Sequence, residues 1–371
     1  MLKVTLWPAR RRDPSSHVRS RRVLEKEAGM KQIRGIWIPD GSHCDTLTTK
    51  AGIQRALDVV QAQGFNTVFP AVWNRGHTAF PSAVMESHGF AVQDPQYAGF
   101  DPLEEIVQAG KSRGIAVIPW FEYGFASSPD PDGGMILRTK PAWAARAPDG
   151  TLCRHGSLVW MNSLHPEVQS FLTELILEVV RNYSVAGVQG DDRLPAMPRH
   201  AGYDAISQQL YRDACGASSP PRISDANWTA FRCAQMSQYL GRLARAVKTL
   251  KPDCLMSMAP APMPHGKSDL MQESHHWLRA GLVDWLHPQI YRNHAAAYSR
   301  DLRIMLAHWT DEQRAKVAPG LSLIWNQRPV SEKQLVKMLM DNQRLALGGG
   351  VIFHYGLLAE TRHLTRRVWR R

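Results

Sequence analysis

Several features that assign a sequence quickly are scarce or missing here. The five cysteines, Cys44, Cys153, Cys215, Cys233 and Cys254, are odd in number, widely spread and never at C-x-x-C spacing. That pattern indicates neither a disulfide framework nor a cysteine zinc site. No stretch approaches the roughly 18 uncharged apolar residues of a membrane span, so no integral membrane segment is expected. The first thirty residues hold no apolar run of a secretory leader, because Pro8 and then Arg10, Arg11 and Arg12 interrupt the one hydrophobic patch. Taken literally the encoded chain stays in the cytoplasm, with Met30 as an alternative start. His275 and His276 are adjacent rather than four apart, which is not a metal-ligand spacing on a helix. No metal and no cofactor are expected.

Positive charge is abundant, but little of it lies in the body of the chain. The formal net charge is +12, and residues 1–30 carry eight Lys/Arg against Asp13, Glu25 and Glu27. The last ten residues add five arginines and no acid, so the two ends supply ten of the twelve charges and 31–361 only two. A nearly neutral body argues against a nucleic-acid partner. The ends read as a basic, disordered extension (1–30) and an Arg-rich tail (362–371), both able to touch anionic surfaces.

Between them the chain alternates short β-rich apolar runs with longer helical patterns, the signature of parallel α/β architecture. Strands are expected at 33–39, 66–73, 115–123, 185–191, 254–259, 284–291, 316–323 and 350–355. Runs such as VIPWF and VIFHY are apolar almost throughout, as strands buried on both faces require. Helices are expected over 48–63, 101–113, 166–182, 228–250, 269–280 and 331–347, and Gly64, Gly114 and Gly281 stand just past three of their ends, where a residue of positive φ closes the last turn. Eight strands in this alternation predict an α/β protein, a (β/α)8 TIM barrel over 31–361. The segments after strands two, three and four (74–100, 124–165 and 192–227) are long, while the returns from helix to strand are short. A barrel builds its active site from the former.

The strand ends then present Asp40, Trp73, Asn74, Arg75, Glu122, Tyr123, Asp191, Asp192, Gln289, Tyr291, Arg292, Trp325, Asn326, His354 and Tyr355. Gln189 shares the direction of Asp191 by alternation, and Trp160 and Asn162 from the loop after strand three join the candidate contacts. Aromatic planes, amides and carboxylates together suit a sugar-binding cleft. Asp191 and Asp192 are the strongest signal, since two adjacent acids after V-A-G-V-Q-G are costly to place in a barrel mouth unless something uses or pairs them. Glu122 is the natural second carboxylate. Competing explanations are an Arg193 pairing for the two aspartates, an ion pair of Glu122 with Arg75 or Arg292, and turn chemistry for Asp40 in P-D-G-S. Gly348, Gly349 and Gly350 precede the eighth strand, so they end a helix rather than cradle a phosphate.

Five motifs in order, R-G-I-W-I (34–38), G-F-N-T-V-F-P-A-V-W-N-R-G-H-T-A-F-P-S (64–82), I-P-W-F-E-Y-G-F (118–125), V-W-M-N-S-L-H-P-E-V (159–168) and N-Y-S-V-A-G-V-Q-G-D-D (182–192), resemble the family 10 glycosyl-hydrolase-like proteins, the GHL10 or DUF187 group. The resemblance covers about 31 to 358. It implies a TIM barrel that hydrolyses glycans, with relatives acting on bacterial cell-wall or exopolysaccharide chains containing N-acetylglucosamine, and it points to the cell envelope. By position it implies a catalytic acid at Asp191 or Asp192, a match of Glu122 to the family's W-F-E segment, and a polar strand-two end at Asn74 and Arg75. Ala186, Gly190 and Arg193 depart from its pattern. A polysaccharide or oligosaccharide partner follows, with a non-catalytic carbohydrate-binding protein of the same fold as the alternative. On this reading Asp192 or Asp191 protonates the glycosidic oxygen, while Glu122 activates water or stabilises an oxocarbenium-like centre.

Overall fold

The computed structural model describes residues 32–41, 44–216, 221–307 and 309–360. The expected basic extension at 1–30 and the tail at 362–371 lie outside the described residues.

Eight short parallel strands carry the architecture: β1 (Ile33–Ile38), β2 (Thr67–Pro70), β3 (Ala116–Val117), β4 (Gly187–Gly190), β5 (Leu255–Met258), β6 (Trp285–Leu286), β7 (Gly320–Ser322) and β8 (Gly349–Phe353). β1 pairs with β2 on one side and β8 on the other, with Gly35 opposite both Thr67 and Val351. β2 continues to β3, β8 to β7, and β5 joins β4 to β6. The two runs meet through single bridges, Trp120 to Gln189 between β3 and β4, and Leu286 to Val317 and Gln289 to Gly320 between β6 and β7. The ring is closed, a (β/α)8 barrel. Each strand is nearly all buried, as the continuous apolar runs require.

Eight helices alternate with the strands: α1 (Lys50–Ala62), α2 (Pro102–Arg113), α3 (Pro166–Asn182), α4 (Ala226–Leu250), α5 (Ser274–Arg279), α6 (Ala295–Leu306), α7 (Glu332–Arg344) and α8 (Tyr355–Glu360). Their ends follow local chemistry. Asp101 accepts from the Leu103 and Glu104 amides at 3.0 Å, Pro102 fills the first position of α2, and Gly114 closes it at φ +67°. α3 buries Val168, Phe171, Leu172, Leu175, Ile176, Val179 and Val180, the three-and-four spacing of one helical face. None of the described helices is long and apolar enough to cross a membrane.

Two expectations change in detail. The strand expected over 115–123 is regular only at Ala116–Val117 and touches β4 again at Trp120, because Pro119 has no amide to donate. The helix expected over 269–280 is broken into His265–Leu270 and Ser274–Arg279, with Met271 at φ +56° between them. The break seats the fully buried Gln272, whose amide donates to the Asp191 and Pro195 carbonyls at 2.9 and 3.1 Å and accepts from the Ala261 amide at 3.0 Å. A continuous helix would use that backbone for its own bonds.

The long segments lie where expected. After β2 a hairpin pairs Trp73–Asn74 with His77–Thr78, turned by Arg75 and Gly76 at φ +51° and +78°, the positive-φ pair of a two-residue hairpin turn. After β3 the chain builds a three-stranded antiparallel sheet from Ala126–Ser128, Leu158–Trp160 and Arg154–His155. After β4 it carries a helix at Ala205–Cys215.

Candidate active site

Within the barrel, one polar layer supports the mouth. Trp37 on β1 donates its indole N–H to the Gln189 carboxamide at 2.7 Å, and Gln189 donates to the Ser257 hydroxyl at 2.9 Å. Two residues further along the same face stands Asp191, 1 % exposed. Its Oδ1 accepts from the Arg193 amide at 2.8 Å, and its Oδ2 accepts from the Trp120 indole at 3.0 Å and the Arg193 guanidinium at 2.8 Å. Burial pushes the Asp191 carboxyl well above its ordinary pKa, and the charge and hydrogen bonds of Arg193 pull against that rise.

Arg193 is the hub of the site. The same Nη2 that holds Asp191 lies 3.8 Å from Glu122 Oε1 and 3.7 Å from Asp192 Oδ1. Its Nε donates to the Glu122 carbonyl at 2.6 Å, and its guanidinium carbon sits 5.4 Å from the centre of the Tyr123 ring. Burial pulls its pKa down, but the charges of Asp191, Asp192 and Glu122 outweigh that and raise it, so it stays a cation. The distances from Nη2 place a Glu122 oxygen and an Asp192 oxygen at most about 7.5 Å apart, a bound that admits either carboxylate spacing used in glycoside hydrolysis.

The three acids are not equally free. Glu122 accepts from Asn74 Nδ2 at 2.7 Å, and its side chain is 11 % exposed. Asp192 is 32 % exposed, with a long 3.3 Å contact from Gln289 Nε2, which is itself anchored to the Ala259 carbonyl at 2.8 Å. Arg75, exposed on its hairpin turn, reaches the Tyr123 hydroxyl and faces Asp40 and Glu122. Tyr291 stacks on Phe353 at 5.4 Å and meets Trp325 at 5.7 Å. Burial, with Asp192 and Asp191 nearby, keeps its hydroxyl protonated. His354 follows Phe353 through a cis peptide, and Tyr355, half-buried, opens α8.

Thus Asp191, Asp192, Glu122, Asn74, Arg75 and Tyr123 come together, with Asp40 and Tyr291 facing the same charges and Trp325 against Tyr291. Other candidates make their contacts within the protein. Trp73 is fully buried, packs on Phe171 and donates to the Gly124 carbonyl at 3.0 Å. Trp160 is 1 % exposed, so its faces are covered by protein. Asn162 spends its amide on Asp204 at 2.9 Å and its oxygen on the Leu164 amide, bracing the loop. Gln189 belongs to the supporting layer. Arg292 is drawn to Asp301 on α6, at 2.7 Å from Nε and 2.6 Å from Nη2. Glu122 lies 3.8 Å from the Arg193 guanidinium and also faces Arg75. The Arg193 pairing offered for the two aspartates is present, while its reach to Glu122 and the role of Gln272 were not read from the sequence. Among the described residues no cluster of His, Cys, Asp or Glu has the arrangement of a metal site.

Residues 32–332 match the family described as Glycosyl hydrolase-like 10. The chain is 25 % identical to "Glycosyl hydrolase DigH" of Escherichia coli K12 over 318 residues, covering 75 % of this chain and 70 % of that protein. It is 24 % identical to "Glycosyl hydrolase YngK" of Bacillus subtilis 168, covering 75 % of this chain and 57 % of that one. Among solved structures, the glycoside hydrolase domain of PgaB (BpsB) from Bordetella bronchiseptica superposes with a TM-score of 0.68 at 11 % identity, over 91 % of this chain and 98 % of the domain. The α-L-fucosidase isoenzyme 2 of Paenibacillus thiaminolyticus does so at 0.65 and 16 % identity, over 91 % and 49 %. These two likenesses concern the fold.

Proposed function

The chain belongs to the glycosyl hydrolase-like 10 family, and from that premise we propose that it hydrolyses glycosidic bonds in a bacterial cell-wall or exopolysaccharide glycan containing N-acetylglucosamine. The observation that carries the reading is the meeting of Glu122, Asp191 and Asp192 on one guanidinium at the barrel mouth, with Asp192 the most solvent-open of the three.

Asp192 protonates the glycosidic oxygen as the bond to the anomeric carbon breaks. Glu122, oriented by Asn74, activates the attacking water or stabilises the oxocarbenium-like centre. Asp191 is a positioning residue: both its oxygens are taken by Trp120 and Arg193, and through Arg193 it fixes the other two carboxylates. Tyr291 and Trp325 offer ring faces to a sugar, and Arg75 and Asp40 reach its hydroxyls. A second reading, glycan binding without turnover, draws on the same ion pair, since Arg193 offsets part of the negative charge that catalysis would use.

Product release from purified bacterial glycans, among them peptide-free peptidoglycan strands and partly deacetylated poly-N-acetylglucosamine, separates the two. Cleavage by the wild type that collapses in Asp192→Asn and Glu122→Gln establishes the hydrolase and its pair. Binding with no cleavage of any glycan establishes the second reading, and wild-type turnover in Glu122→Gln rules the pair out.

A further inference from the structure

The segment after β4 forms a pocket of about 500 Å³ whose polar lining is Arg199, His200, Tyr203, Arg222 and Ser224, with no carboxylate among its described lining residues. The wall is held between neighbouring loops: Arg199 donates its amide to the Asp269 carbonyl at 2.8 Å, and Tyr203 donates its own to the Arg146 carbonyl at 3.2 Å. The nearest acid to the Arg199 guanidinium is Asp269 at 3.9 Å, and Asp269 also binds His265 at 3.2 Å.

Behind this wall sits a third guanidinium. Arg232 on α4 is fully buried, lies 4.7 Å over the Trp228 ring, and donates Nη1 to the Arg199 and Ala201 carbonyls at 2.7 and 3.1 Å. Its Nη2 has no hydrogen-bond partner among the described residues, and no carboxylate pairs with it. Burial without a counter-charge lowers its pKa to about 10. The Tyr203 hydroxyl faces the Trp228 indole N–H without closing a standard hydrogen bond. A pocket lined by two arginines and a histidine, backed by a buried guanidinium that lacks an anion, has the electrostatics of an anion receptor. The pocket and the acids share one segment, the chain after β4 that starts at Asp191 and Asp192 and reaches the pocket wall at Arg199.

We propose that this pocket receives a carboxylate carried by a sugar of the glycan bound across the acid cluster, so that the protein prefers acidic over neutral polymers. The proposal rests on the reading of the cleft as a glycan site. Arg199 and Arg222 are exposed and contact the carboxylate directly; Arg232 adds its field from behind.

The test measures binding of the full chain to carboxymethyl chitin and to neutral glycol chitin by affinity electrophoresis, for wild type, Arg199→Gln, Arg222→Ala and the double variant Arg242→Ala/Arg245→Ala. The last pair lines a separate groove on α4 and controls for general attraction of a basic protein to an acidic polymer. The expected result is about tenfold tighter binding of the carboxylated polymer by wild type, a preference erased in Arg199→Gln and Arg222→Ala with glycol chitin binding unchanged, and retained in the control. Equal binding of both polymers by wild type overturns the proposal while leaving the glycan reading intact, as does loss of the preference in the control. Binding of neither polymer removes the glycan reading and this proposal with it. A parallel melting series in sodium sulfate against sodium chloride at matched ionic strength detects a free-anion site: stabilisation by sulfate that is lost in Arg222→Ala, without any polymer preference, also overturns the proposal.

Discussion

Replacing Arg193 by methionine removes a cation that all three acids share. At an effective dielectric of about 20, its contact with Asp191 at 2.8 Å is worth about 6 kcal/mol of Coulomb energy before desolvation is counted. Most of that is offset by burying the two ions, but removing one partner alone leaves the other stranded, which typically costs about 3–5 kcal/mol. Asp191 is 1 % exposed, so it escapes the penalty only by taking up a proton. In the variant its folded-state pKa therefore rises further above its unfolded value of about 3.9. A carboxyl raised in the folded state binds more protons there than in the unfolded chain, so stability falls as pH rises through that interval and is flat above it. Urea unfolding of variant and wild type from pH 4.5 to 8.5 measures the difference. It is expected to be small near pH 4.5, to widen by about 1.4 kcal/mol per pH unit, and to level off at about 3–5 kcal/mol. A difference that is constant with pH, or under about 1 kcal/mol at pH 8 where a surface ion pair would leave it, refutes the assignment of Arg193 as counter-ion to a buried carboxylate.

Asp192→Asn is expected to lower kcat on a natural glycan by about 10²–10⁴-fold with little loss of stability, because its contacts are long and its side chain is 32 % exposed. On a dinitrophenyl glycoside, whose leaving group departs without a proton, the loss should be much smaller; equal losses on both substrates argue against an acid role. His287 is fully buried against the Ala318 carbonyl at 2.8 Å, and burial holds its pKa at about 4. Its folded pKa lies below the unfolded value of about 6.5, so the stability it contributes is complete above that value and lost as pH falls toward 4. His287→Gln should flatten this acid limb in urea unfolding; an unchanged limb means other groups dominate. Gln272→Leu is expected to leave the Asp191 and Pro195 carbonyls and the Ala261 amide without their partner, at about 1–3 kcal/mol for a buried unsatisfied group. Protease cutting in 191–204, ahead of the rest of the chain, is the readout, and a wild-type cleavage pattern contradicts it.

The barrel was legible because its strands are buried on both faces, which makes runs such as those at 35–38 and 349–353 apolar throughout, and because Asp101, Gly114 and Pro166 mark helix ends by chemistry that acts over a few residues. Asp191, Asp192 and Glu122 were legible for a related reason: acids at the ends of apolar strands are costly and so stand out. What escaped depends on contacts distant in sequence. Whether Trp73 or Trp160 faces a ligand is decided by Phe171 and by the hairpin after β3, and whether Arg292 points inward is decided by Asp301 on the next helix. Periodicity carries none of that. The break at Met271 is similar, since the pattern over 269–280 is helical and only the bonds of Gln272 to loops far upstream stop it.

That glutamine also sets an order of events during synthesis. The segment bearing Asp191 and Asp192 leaves the ribosome some eighty residues before Gln272, and until Gln272 arrives the Asp191 and Pro195 carbonyls lack the amide that ties them down. β1 waits longer still, because its second neighbour, β8, is the last strand made. A nascent or truncated chain ending before 272 therefore leaves those two carbonyls without their tie, and the acid cluster is fixed only once the barrel is nearly whole.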